Sequence, residues 1–230
     1  MRLNCKKASS LFNSYEIFGL VLACLCAGPQ FAVAAAANES VTPAYVDHLK
    51  IVPSLGYTYF NVQGSPTDYK SKVGSSAAVL VQMPLMDGQM EIESGLEYME
   101  TGAKQTLFGS GFFTIDATLD IKQVAIPIRA KYIFNPATSG THYYGKAGIT
   151  PTYVTSAKVD ALGATGDVKS QLNDIGALTQ AGLGADWGLD SITGRVSLDL
   201  TYSYGLTKVF KDSDGRATGY QLQAGYAFIL

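Results

Sequence analysis

Apolar side chains alternate with polar or small ones along most of the chain after residue 48. In the final segment, every second residue from Tyr220 to Leu230 is apolar, while Gln221 and Gln223 lie between them. This is the side-chain period of a β-strand with one apolar face. Because a closed barrel satisfies its own backbone and can expose such a face to lipid, the pattern indicates a transmembrane strand.

Eight segments share this period, and their boundaries are good to a few residues. The predicted strands are Leu49–Val62, Gly74–Leu85, Gln89–Glu100, about Leu119–Phe134, Thr141–Lys158, Asn173–Leu189, Ile192–Thr207 and Gly219–Leu230. The long connections are Gln63–Val73, Thr101–Thr118, Val159–Leu172 and Lys208–Thr218, and the short ones are Met86–Gly88, Asn135–Gly140 and Asp190–Ser191. Outer-membrane barrels combine short periplasmic turns with longer extracellular loops. We therefore expect an all-β, eight-stranded antiparallel up-and-down transmembrane β-barrel with both termini in the periplasm.

The outward aromatic residues of these strands fall into two groups by height. Near the predicted extracellular ends lie Tyr57, Tyr59, Tyr98, Tyr153, Tyr202, Tyr204 and Tyr220, and near the periplasmic ends lie Tyr132, Phe134, Tyr143, Trp187 and Phe228. Two aromatic girdles around an aliphatic band are expected at two membrane interfaces. A soluble secreted barrel with an internal ligand, the less favoured alternative, gives no reason for this sorting.

Two features disturb the regular pattern. Pro53, Pro127 and Pro151 lie inside predicted strands, where a missing N–H predicts bulges or locally unpaired positions. In the fourth strand the apolar row lies at odd positions up to Ile121 and at even positions from Val124. This change predicts either a bulge near Lys122 or, over residues 112–118, a strand extension above the membrane with its own packing.

The first 36 residues are expected to form a cleavable signal peptide, which leaves residues 37–230 as the barrel domain. Basic residues precede the apolar segment Ile17–Ala27, and small residues follow it from Ala32 to Ala37. The apolar segment is shorter than the roughly 20 residues of a membrane-spanning helix, which disfavours a retained anchor. Cleavage after Ala34, Ala36 or Ala37 stays open, and a lipoprotein signal at Cys24 is a weaker alternative.

Composition removes several classes of function. All three cysteines, Cys5, Cys24 and Cys26, lie in the predicted signal peptide, so the mature chain should hold no disulfide or thiolate metal site. Without Arg2, Lys6, Lys7 and Glu16 the formal charge changes from −2 to −4. A nucleic-acid partner is therefore not expected, and neither is a cofactor or a metal.

Three segments carry a resemblance to a known family. KQVAIPIRAKYIF (residues 122–134), YYGKAGITPTYVTSAK (143–158) and LDLTYSYGLTKV (198–209) resemble the outer-membrane β-barrel domain family, whose members are often called porin family proteins. The resemblance spans nearly the whole mature chain. It implies a small eight-stranded barrel in a Gram-negative outer membrane, with outer-membrane lipid and lipopolysaccharide as surroundings and insertion by the barrel-assembly machinery.

The polar rows of the strands should fill the inside of this barrel, because eight strands enclose only enough space for side chains. The expected network contains Glu91, Glu93, Glu97, Arg129, Lys131, Lys146, Asp186, Arg195 and Asp199. A two-residue hairpin at Asp190–Ser191 would pair Leu189 with Ile192 and place Asp186 opposite Arg195, which predicts a salt bridge. A neutralised structural network is favoured over acid–base catalysis by paired carboxylates.

The two histidines, His48 and His142, both map to the periplasmic end, which argues against an outer-rim hydrolase or acyltransferase built on histidine. The loop Thr101–Thr118 is unusually apolar at Leu107, Phe108, Phe112 and Phe113. These residues pack against neighbouring loops or form a contact surface for a partner that the sequence does not identify. We expect a non-enzymatic outer-membrane protein with a structural or surface-interaction role, and alternatively a narrow pore or a hydrophobic-solute conduit.

Overall fold

The computed structural model describes residues 48–64, 69–85, 89–110, 113–136, 140–189 and 192–230, with the backbone alone at 107–110, 113–115, 189, 192 and 193. The strands are β1 (Lys50–Gln63), β2 (Lys70–Leu85), β3 (Met90–Ser110), β4 (Phe113–Ala125), β5 (Ile128–Ile133), β6 (Thr141–Ala161), β7 (Ala164–Asp167), β8 (Ile175–Leu189), β9 (Ile192–Gly205) and β10 (Arg216–Ile229). A 3₁₀ helix spans Lys169–Gln171. Within these ranges no helix is long and apolar enough to cross a membrane. The predicted signal peptide lies outside them.

Antiparallel pairing closes these strands into a ring. Each strand pairs with the next one around the wall, and β10 pairs with β1 from Lys50–Ile229 to Gln63–Arg216. β4 and β5 together occupy one place in the ring, and β7 pairs only with β6. The described strands therefore form an eight-membered up-and-down barrel. We call the end at Lys50 and Ile229 the terminal end and the opposite end the loop end.

The prolines interrupt the wall at two places, as the sequence predicted. Pro127 separates β4 from β5, and the β4/β5 ladder with β6 omits the positions opposite Pro151. The β1–β10 ladder omits Val52 and Pro53 between the pairs Ile51–Phe228 and Ser54–Gly225. The register is the same on both sides of each gap, so the missing N–H groups leave positions unpaired without adding a bulge.

The barrel wall is taller on one side than the sequence indicated. Of the predicted loop 101–118, residues 101–110 continue β3 to Ser110, and residues 113–118 begin β4 at Phe113, as the alternative of a strand extension required. Beyond the last β2 pair, Lys70 with Lys104, β3 is paired with β4 alone. The predicted loop 159–172 likewise contains the end of β6, a turn with positive φ at Leu162 and Gly163, and β7. We call the projecting parts of β3, β4, β6 and β7 the extension.

The two faces of the wall have opposite character over most of its height. Most residues of the predicted outward rows are exposed or half-buried, and of the girdle aromatics Tyr98, Tyr143 and Tyr204 are half-buried and the others exposed. Gln221 and Gln223 face the inside and are almost fully buried. On β4, odd residues face inward from Ala117 to Ala125, so β4 itself undergoes no change of phase, and the predicted alternative of a strand extension with its own packing is borne out by the buried Leu119 and Ile121. The change lies on β6, where Lys122 pairs with Ser156 but Gln123 pairs with Val154, and Thr155 is the extra residue.

Candidate functional site

The inside of the barrel, here called the lumen, contains a cluster of buried charges. Five basic and five acidic side chains meet there: Lys50, Arg129, Lys131, Lys146, Arg195, Glu91, Glu93, Glu97, Asp186 and Asp199. Each carboxylate contacts at least one of these cations within 4 Å. Since an unpaired buried charge is costly, this matching is what allows the lumen to be filled rather than open.

Arg129, on β5, joins three partners in the middle of the lumen. Its two terminal nitrogens donate to Glu93 at 2.9 Å and to Glu97 at 2.6 Å, and its Nε donates to Gln180 at 2.8 Å. Glu97 also accepts hydrogen bonds from the Gln221 and Gln223 amides at 2.5 and 3.0 Å. Glu97 thus connects the last strand directly to β3 and β5 across the lumen.

Lys131 forms a second centre nearer the terminal end. Its Nζ lies 3.1 Å from Glu91 and 3.3 Å from Asp186. Glu91 is also paired with Lys50, the first residue of β1, and the His142 Nδ1 lies 3.5 Å from Asp186. The first strand is therefore held to β3, two strands away around the wall, by a buried ion pair.

A third centre depends on a glycine. Lys146 lies 2.9 Å from Asp199, which also accepts a hydrogen bond from the Tyr144 hydroxyl at 2.8 Å. Tyr144 and Gly184 are paired residues on β6 and β8, and Asp199 is paired with Gly184 on the next strand. A Cβ at Gly184 would lie 2.5 Å from the Tyr144 ring. Only glycine therefore allows the ring to cross β8 and reach Asp199.

The predicted salt bridge between Asp186 and Arg195 is present, at 2.5 Å from Nε to Oδ1. The register that led to it is wrong. Leu189 does pair with Ile192, but a shift follows, so that Gly188 pairs with Arg195 and Asp186 with Ser197. The Arg195 side chain is long enough to reach Asp186 across this shift, and it also donates to the Gly140 carbonyl at 2.5 Å.

All nine residues of the predicted network line the lumen. Sequence reasoning missed Lys50, His142 and Tyr144, although the alternation itself places each of them on an inward position. The two-residue alternation of β1 and β6 therefore already indicated that these three side chains face the lumen. The predicted loop surface could not be placed, since Phe112 and the side chains of Leu107, Phe108 and Phe113 lie outside the described residues.

Near the loop end the lumen becomes apolar and is covered. Leu172 is fully buried against Leu119, Ile121, Val154 and Ala157. It bridges to Phe210, and Asn173 donates its N–H to the Val209 carbonyl at 3.0 Å, which ties residues 169–173 to residues 206–215. We call these two segments the cap. On its surface, a hydrogen bond from Lys208 lowers the pKa of the Asp214 carboxyl.

A cavity of about 40 Å³ remains beneath the cap, between Ile121, Leu172 and Ala217. A space of this size holds a few waters at most. Among the described residues, no group of three or more His, Cys, Asp or Glu side chains is placed to hold a metal ion. The arrangement neutralises charge and fills space in the described part of the lumen.

Comparison with known proteins agrees with this architecture. The family described as outer membrane protein beta-barrel domain matches residues 20–228. A search of curated protein sequences found no match. Among solved structures, Neisserial surface protein A is 15% identical with a TM-score of 0.51, over 79% of this chain and 97% of that one.

Two further structures are similar over most of their length. OprG of Pseudomonas aeruginosa is 11% identical with a TM-score of 0.45, over 80% of this chain and 96% of that one. Ail of Yersinia pestis, an attachment invasion locus protein, is 16% identical with a TM-score of 0.40, over 80% and 100%. At these identities the likeness to Neisserial surface protein A shows the fold alone. The family match covers most of the sequence, and the protein therefore belongs to the outer membrane protein β-barrel domain family.

Proposed function

We propose that the protein is a non-enzymatic outer-membrane barrel that acts in envelope structure or surface interaction through its loop end. The observation that carries this proposal is the filled lumen, in which paired charges occupy the middle and Leu172 covers the loop end. A lumen filled in this way favours a closed barrel over a conduit. The extension and the cap are then the parts of the described structure that can contact a partner outside the membrane.

Conductance tests the closed lumen directly. The refolded protein in planar bilayers should give no stable single-channel steps, whereas an open porin prepared in the same way should give them. Stable steps from the wild-type protein would defeat the proposal and favour a narrow pore.

The role of the extension can be tested by shortening it. Replacing residues 106–116 with Asn-Gly would close the β3–β4 hairpin at the pair Gln105–Ala117. This variant should still show heat-modifiable gel migration, and cells that carry it should lose attachment or aggregation gained from the wild-type protein. Leu162→Ala, at the neighbouring hairpin, is the matched control for a small change at the loop end. An unchanged surface phenotype in the shortened variant would contradict a role for the extension.

The proposed orientation has the loop end at the cell surface and both termini in the periplasm. Leu162 and His48 are exposed at opposite ends of the barrel. A membrane-impermeant maleimide should therefore label Leu162→Cys in intact cells and label His48→Cys only after the outer membrane is opened. The unsubstituted chain serves as the labelling control. Equal labelling at both positions in intact cells would refute this orientation.

A further inference from the structure

The cavity beneath the cap has one wall of polar side chains. Thr101, Gln123 and Thr152 line it from β3, β4 and β6, which are neighbours in the ring. Each of the three residues is more than nine-tenths buried. Within the part of the chain that the structure describes, none of these side chains has a hydrogen-bond partner. Because buried polar groups are normally hydrogen-bonded, this wall is suited to a small polar molecule inside the cavity.

The other residues that line the cavity are mostly apolar or small. Ala217 lines it from β10, and Leu172 and Val209 line it from the cap. On β8, a Cβ at Gly176 would lie 2.8 Å from the Thr152 hydroxyl. The glycine therefore keeps the space in front of this hydroxyl open. The cavity thus has a polar side and an apolar side.

Asn173 joins the two segments of the cap and also lines the cavity. Its backbone N–H donates to the Val209 carbonyl at 3.0 Å, and its side-chain amide donates to the Lys208 carbonyl at 2.9 Å. Thr207 and Lys208, which line the cavity as well, are exposed. The cavity therefore lies close to the surface at the edge of the cap, and the hydrogen bonds of Asn173 close that edge.

We propose that this cavity binds a small uncharged molecule with a carboxamide group at one end and a methyl group at the other. A carboxamide offers two N–H donors and a carbonyl acceptor, which match the Gln123 amide and the hydroxyls of Thr101 and Thr152. An alcohol offers only one donor, so it leaves part of this wall unpaired. Since the cavity has space for about three or four water-sized atoms, the molecule has about four non-hydrogen atoms, as acetamide does.

The charges around the cavity favour a neutral molecule. Among the described residues that line it, Lys208 is the only charged one, and its ammonium is paired with Asp214. A carboxylate would therefore lose its hydration without gaining a free cation. The site needs neither conduction through the barrel nor the extension, so it goes beyond the proposed surface role and can be tested separately from it.

Methyl NMR of the refolded protein in detergent micelles tests this site, with acetamide as the probe and selectively labelled leucine and valine methyl groups. Acetamide should shift the methyl signals of Leu172, Leu178 and Val209 saturably, because all three residues line the cavity. Acetate and isopropanol have the same number of non-hydrogen atoms and should bind about tenfold more weakly or less.

Gln123→Leu should weaken acetamide binding by about tenfold, because it removes the carboxamide partner. Gln105→Leu, the same change on β3 outside the cavity, is the matched control and should bind as the wild type does. Thr152→Val removes a single hydroxyl with a smaller change in packing and should weaken binding by about threefold or more. Heat-modifiable migration of each variant shows that it is folded.

Three results would overturn the proposal. The absence of a saturable shift in the wild-type protein would show that the cavity takes water only. Equal affinity for acetamide and either of the other two probes would show that the polar wall does not select a carboxamide. Equal binding by Gln105→Leu and by the folded variants of Gln123 and Thr152 would place the acetamide elsewhere.

Discussion

Glu97→Gln removes one charge from the centre of the lumen while it keeps the shape of the side chain. In the native barrel this fully buried carboxylate accepts from Arg129 at 2.6 Å and from the amides of Gln221 and Gln223. The variant leaves Arg129 with Glu93 as its remaining carboxylate partner. It also places a side-chain amide among groups that are themselves donors. The change therefore tests whether the lumen network stabilises the closed barrel.

The expected loss follows from these contacts. Removing one partner of a buried ion pair costs about 3–5 kcal/mol, because the other charge is left without full compensation. Glu93 retains part of that compensation for Arg129, which favours the lower end of the range. The glutamine oxygen also keeps one acceptor. We therefore expect the free energy of unfolding to fall by about 3 kcal/mol.

Urea unfolding in detergent micelles or lipid vesicles measures this loss. The single tryptophan, Trp187, lies on the outer wall, so its fluorescence should report transfer from an apolar environment to water. Glu100→Gln, the same chemical change three residues away on the outer face, is the control and should cost less than about 1 kcal/mol. A double-mutant cycle with Arg129→Gln should give a coupling free energy above about 1 kcal/mol. Equal losses in Glu97→Gln and Glu100→Gln, or an additive cycle, would refute the stabilising role of the network.

Two further substitutions test packing within the barrel by the same measurement. Gly184→Ala should lower the free energy of unfolding by about 1–3 kcal/mol, because the new Cβ would overlap the Tyr144 ring. Gly166→Ala, with nothing within 4 Å of its Cβ, should change it by less than about 0.5 kcal/mol, and equal effects would contradict the close approach of the ring. Leu172→Ala should cost about 2–5 kcal/mol if the cap is packed as described, whereas Leu162→Ala, at an exposed turn, should cost little. A loss below about 1 kcal/mol for Leu172→Ala would show that the cap does not depend on this residue.

The barrel wall was predictable because a transmembrane strand alternates outward apolar residues with inward polar ones at a period of two. In β10 the apolar row faces out and Gln221 and Gln223 face in, as the alternation requires. The prolines were equally informative, since each missing N–H removes one hydrogen bond from the ladder of a closed barrel. Lys50 could have been assigned to the lumen in the same way, because its neighbours Leu49 and Ile51 were already placed outside.

The contact between Asp186 and Arg195 was predictable, but its register was not. Both residues were correctly placed inward, and a long side chain can reach across a shift in pairing. The shift itself depends on the turn after Leu189, where the sequence permits more than one pairing. Period two fixes the face of a residue firmly, whereas its exact partner depends on turn geometry.

The continuation of β3 and β4 beyond the predicted barrel strands has a physical explanation in the polarity of β4. Below Val124 the outward row is apolar and the inward row is charged, as lipid outside and a polar lumen require. Above Lys122 the order is reversed: Leu119 and Ile121 are buried beneath the cap, while Asp120 faces outward. One continuous strand thus changes from the polarity of a membrane barrel to that of a water-soluble sheet, without changing its own phase. The change occurs at the level of Tyr98 and Tyr153, both paired with Val124, where an aromatic girdle meets the membrane interface. The irregularity that the sequence showed near Lys122 is therefore best explained by this change of surroundings along β4, and the extra residue Thr155 on β6 lies at the same level.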